Sequence, residues 1–84
     1  MIKVKTEVLK AIMEENNLSQ RQLAFAIGVD PAVISRVLNN KREGVGGKFI
    51  GGLLRFTGMK FDDLFYEEER KWKEKKYSIR FGNM

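Results

Sequence analysis

A chain of 84 residues, 43% hydrophobic and 32% charged, is sized for one domain around one modest core. It contains neither cysteine nor histidine, which excludes disulfides, thiolate zinc sites and the commonest general base and metal ligand at neutral pH. The formal net charge of +5 suits an anionic partner; residues 1–18 are balanced, and the positive excess begins at residue 19 rather than in a tail.

The start of the chain alternates, with Ile2 and Val4 set against Lys3 and Lys5, which predicts a short strand or an extended entry. Thr6 is the candidate cap of a first helix over 7–16, whose inner side carries Leu9, Ile12 and Met13. Asn16 and Asn17 end it, because asparagine tolerates left-handed backbone. Ser19 caps a second helix over 20–27, and Gln22 three residues later completes a capping box. Leu23, Ala24 and Ile27 face inward, and Ala24 is small enough to let another helix approach closely. Gly28 supplies a left-handed position, and Val29 anchors the turn.

Asp30 caps a third helix through Asn40, and Pro31 occupies its first position, where a missing amide hydrogen costs nothing. Ile34, Val37 and Leu38 face inward, and Asn40 stands where a left-handed terminator is wanted. The stretch 41–47 is basic and carries three glycines without the spacing of a nucleotide-binding loop, so it reads as a flexible linker. A fourth helix over 48–56 has a stripe of Ile50, Leu53 and Leu54 flanked by Phe49 and Phe56. Gly51 and Gly52 each weaken that helix by about 1 kcal/mol relative to alanine, which close packing against a neighbour would explain.

Thr57-Gly58 stops the fourth helix. Asp62 caps a short fifth helix to Tyr66, with Phe61 as its staple and Leu64 and Phe65 closing the core. From Glu67 the chain is highly charged, and Tyr77, Ile79 and Phe81 alternate as a strand does, offering a partner for Ile2 and Val4. The expected architecture is all-α: a compact five-helix domain over 1–66 with an optional terminal strand pair. Residues 67–84 form a charged extension, packed on the domain or at a dimer interface. No apolar run approaches the ~20 residues needed to span a bilayer, and the N-terminus lacks a signal-peptide core, so a cytoplasmic protein without a membrane partner is expected.

The order of parts in 19–40 carries the functional signal. A capped helix containing Leu23-Ala24, a tight Gly28-Val29 turn and a second capped helix containing Ile34 make a helix-turn-helix unit, whose second helix enters a major groove. Ser19-Gln20, Leu23-Ala24, Gly28-Val29-Asp30, Ile34-Ser35-Arg36 and Leu38-Asn39-Asn40-Lys41 resemble the Cro/repressor-like helix-turn-helix family of bacterial and phage regulators. Phe61-Asp62-Asp63-Leu64-Phe65 resembles that family's fifth helix. The resemblance implies sequence-specific binding of double-stranded DNA by a transcriptional regulator, a repressor acting by occupancy. Pro31-Ala32 departs from the polar readers often found at the start of that helix.

A helical wheel with Ile34, Val37 and Leu38 inward turns Ala32, Arg36 and Asn39 outward, with Val33 and Ser35 on the flanks. These five are the candidate base contacts. The Arg36 fork matches guanine, Asn39 matches adenine or, nearer the helix end, a phosphate, and Ala32 or Val33 matches a thymine methyl group. The resemblance implies a phosphate contact for Gln20. Lys41 and Arg42, directly after the reading helix, are further phosphate candidates. No catalytic constellation, metal site, cofactor or small-molecule substrate is expected, and a homodimer on paired half-sites is the assembly such a small reader calls for. The competing expectation is a protein-interaction module that keeps the fold without specific DNA recognition.

Overall fold

The computed structural model describes residues 1–40 and 43–68. The phosphate candidates Lys41 and Arg42, and the strand pattern at Tyr77, Ile79 and Phe81, lie outside the described residues. The elements are β1 (Ile2–Val4), α1 (Thr6–Glu15), α2 (Gln20–Ile27), α3 (Pro31–Asn39), α4 (Gly47–Thr57), α5 (Phe61–Leu64) and β2 (Phe65–Glu67). Among the described residues the domain consists of five helices and a two-stranded antiparallel sheet. None of the described helices is long and apolar enough to cross a membrane.

A terminal strand pair exists, and among the described residues the strand that pairs with β1 is β2. β1 pairs with β2 in the register Ile2 with Glu67, Lys3 with Tyr66 and Val4 with Phe65. This shortens the fifth helix: it ends at Leu64 rather than Tyr66, because Phe65 turns to extended backbone and enters the sheet. The pairing is held locally. The Lys5 amide donates to the Leu64 carbonyl at 2.7 Å, and the Lys5 ammonium donates to the Asp62 carbonyl at 2.8 Å. Lys3, almost fully buried, pairs with the Glu68 carboxylate just beyond β2. Burial of a charge is tolerated only with such a partner.

The helix boundaries show where local chemistry prevails and where packing does. α2 starts as predicted: the Ser19 hydroxyl accepts from the Gln22 amide at 3.1 Å, and the Gln22 side chain accepts from the Ser19 amide at 2.9 Å. α3 also starts as predicted, with the Asp30 carboxylate accepting from the Ala32 amide at 2.8 Å and Pro31 at the first position. Thr6, by contrast, is inside α1 rather than its cap. The chain leaves β1 directly into the helix at Lys5, no side chain caps it, and Thr6 is buried. Asp62 likewise sits in the first turn of α5, with Lys60 at the cap position. Asn17 takes the left-handed conformation expected after α1, whereas Asn40 is extended, since the chain heads straight from α3 into the following loop. That loop is no free linker over its described part. Val45 is half-buried and its amide donates to the Ile2 carbonyl of β1 at 2.9 Å. Because the α2 cap is exposed and reciprocal, Ser19→Ala is expected to lower stability by about 1 kcal/mol and the thermal midpoint by roughly 4–8 °C, measurable by circular dichroism melts.

Leu9, Leu23, Ile34, Leu53 and Leu64 are fully buried, one from each helix, so a single core joins all five. Phe49 of α4 and Phe65 of β2 meet edge to face in that core, their ring centroids 6.4 Å apart. Phe61 stacks at a tilt on Phe65 at 5.0 Å while keeping one side in solvent. Phe56 is exposed rather than part of the α4 core stripe, and Ile50 and Leu54 are half-buried; Phe49, Gly52 and Leu53 supply the buried face. The two glycines of α4 differ. A Cβ on Gly52 would lie 2.0 Å from the Ile27 carbonyl oxygen, so α4 rests directly on the end of α2 there. A Cβ on Gly51 would meet only the end of the Arg55 side chain, at 3.4 Å.

Candidate nucleic-acid interface

α2 and α3 are joined by a turn with little freedom. Gly28 takes φ 83°, and the Gly28 and Val29 amides both donate to the Ala24 carbonyl, at 2.8 and 3.0 Å. Ala24 is fully buried beneath the turn, so its single methyl group permits close approach of the neighbouring helix. Asp30 then fixes the start of α3 immediately after the turn. Backbone bonds, a left-handed glycine and a cap therefore set the angle between the helices with few rotatable links.

The inner side of α3 is anchored by Ile34 and Val37, both buried, with Leu38 half-buried beside them. Ala32, Arg36 and Asn39 are exposed on the opposite side, and Val33 and Ser35 are half-buried at its margins. The five residues singled out from the helical wheel thus share one outward surface. Two are linked: the Asn39 side-chain amide donates to the Ser35 hydroxyl at 3.3 Å. Asn39 keeps a second amide hydrogen and a carbonyl oxygen beyond this bond, the donor and acceptor types that match the adenine edge.

Gln20 is exposed at the first position of α2. Ser19 satisfies the amides of Gln22 and Leu23, while helix geometry turns the first two amides of α2 toward solvent, an arrangement suited to an anion. Arg21 is exposed in the same turn.

Two features of the helix-turn-helix unit and the loop after it were missed in the sequence. Glu43, in the loop after α3, forms an ion pair with Arg36, with its Oε2 3.6 Å from the guanidinium Nε. An acidic residue directly following Lys41-Arg42 was the available signal. Phe25 of α2 is 89% exposed, the most exposed large hydrophobic side chain among the described residues. The inward set Leu23, Ala24 and Ile27 already directs Phe25 to solvent.

Comparison with known proteins agrees with this geometry. The Helix-turn-helix family model matches residues 9–64, from within α1 to the end of α5. An uncharacterized HTH-type transcriptional regulator of Bacillus subtilis (strain 168), YvzC, is 43% identical over 65 residues, covering 77% of this chain and 83% of its own. No solved structure gave a significant match. The capped α2, the turn at Gly28 and the capped α3 lie inside the matched region, and the chain belongs to the Cro/repressor-like helix-turn-helix family.

Proposed function

We propose that the protein binds double-stranded DNA sequence-specifically as a transcriptional regulator, a repressor that acts in the cytoplasm by occupying its operator. α3 lies in the major groove, and Ala32, Val33, Ser35, Arg36 and Asn39 meet base edges. Gln20, Lys41 and Arg42 hold phosphates and set affinity more than sequence choice. The observation that carries this reading is the division of α3: one side is locked into the core by Ile34 and Val37, and the other presents Arg36 and a hydrogen-bonded Ser35–Asn39 pair to solvent. The related Bacillus protein, named as a transcriptional regulator, supports the regulatory role. No chemistry on a substrate and no cofactor enter this function. One copy reads few base pairs, so a homodimer on two half-sites one helical turn apart is the working assembly.

Selection from a random duplex library with the purified protein tests this directly. The expected result is a motif with two-fold symmetry, bound more weakly as salt rises because phosphate contacts release counterions. One other reading is a protein-interaction module on the same fold, since the fold alone does not secure the function. Absence of any enriched motif, with affinity indifferent to salt, would select that reading instead.

A further inference from the structure

We propose that Glu43 is a positioning residue for DNA recognition, holding the Arg36 guanidinium in the orientation that reads a base. The inference rests on the DNA-binding function proposed above and assigns a role to a residue outside the reading helix. The Glu43 amide donates to the Asn40 carbonyl at 3.0 Å, which ties its backbone to the end of α3. Its carboxylate approaches Arg36 through Nε, at 3.6 Å, and the side chain is only 33% exposed. Arg36 retains 57% exposure, so the ion pair braces the near edge of the guanidinium without covering it. The two terminal nitrogens lie beyond Nε, and they are the pair that donates end-on to the O6 and N7 of guanine.

A long arginine side chain loses rotamer freedom on ordering, and a brace present in the free protein lowers that loss at the moment of binding. Opposing this, a carboxylate near DNA repels phosphate. Glu43 therefore weakens binding to every sequence while sharpening the choice among them. A residue acting only through net charge changes all sequences equally, which separates the two roles.

The test uses the full chain and measures affinity for the selected duplex and for a scrambled duplex. Wild type, Glu43→Gln, Arg36→Ala and the double variant are compared, with thermal melts confirming that each is folded. Glu43→Gln is expected to lower the ratio of selected to scrambled affinity about two- to fivefold, the range of an exposed ion pair, while scrambled binding strengthens. In the Arg36→Ala background the same substitution leaves the ratio unchanged. Equal strengthening on both duplexes, or the same loss of ratio without Arg36, overturns the positioning role. If Arg36→Ala keeps the full ratio, it is the underlying assignment of Arg36 to a base that fails, a result distinct from failure of Glu43 alone.

Discussion

Gly52→Ala is expected to destabilise the domain by about 3 kcal/mol, the upper part of the range for overpacking, and to lower the thermal midpoint by roughly 10 °C or more. The added methyl group has no flexible neighbour to displace. Its nearest atoms are the carbonyl oxygen and carbon of Ile27, at 2.0 and 2.9 Å, so a helix must move. Ile27 is the last residue of α2, directly before the Gly28 turn, and displacement there tilts the helix-turn-helix unit itself. DNA affinity should fall with stability. Gly51→Ala is the internal control. Its methyl group meets only the end of Arg55, and alanine is the better helix former by about 1 kcal/mol, so the midpoint should rise by a few degrees. Parallel melts of the two variants settle the matter. Equal behaviour would mean that the close approach of α4 to α2 is not an important constraint.

Arg36→Ala is expected to reduce discrimination between the selected and scrambled duplexes by about 1–3 kcal/mol, roughly 5- to 150-fold, with little change in melting temperature. Stability is spared because Arg36 is exposed and its ion pair with Glu43 lies at the surface. Discrimination is lost because a planar fork of donors matches guanine and nothing in alanine replaces it. Lys41→Ala is the contrast: a phosphate contact contributes to every sequence alike, so its loss weakens both duplexes and flattens the salt dependence. Competition binding at two salt concentrations distinguishes the two patterns. Uniform loss on Arg36→Ala would reassign that side chain to the DNA backbone.

Much of the helix-turn-helix unit was legible residue by residue, because its determinants are local. Ser19 and Gln22 close a box across three residues, Asp30 caps and Pro31 starts α3, and Gly28 takes left-handed backbone, all within one turn of where their types are written. The outward surface of α3 followed from helical periodicity once Ile34 and Val37 were turned inward. The terminal elements were less legible. Ile2 and Val4 alternate as a strand does, but alternation carries no information about the partner. The sequence pointed to the alternation at Tyr77, Ile79 and Phe81, whereas β2 is the strand that pairs with β1 among the described residues, and its Phe65 ring meets Phe49 in the core.

The amino-acid order alone was enough for the helix-turn-helix unit, the Ser19 and Asp30 caps at the helix starts, the Gly28 turn and the outward side of α3, since each depends on interactions no longer than one helical turn. Folding in three dimensions set the rest. It paired β1 with β2 across more than sixty residues of chain, cut α5 short at Leu64, seated Gly52 against the Ile27 carbonyl and brought Glu43 to Arg36. The first three depend on which distant surfaces meet when one small core is filled, and the last on the path of the loop after α3; neither helical periodicity nor capping chemistry carries that information.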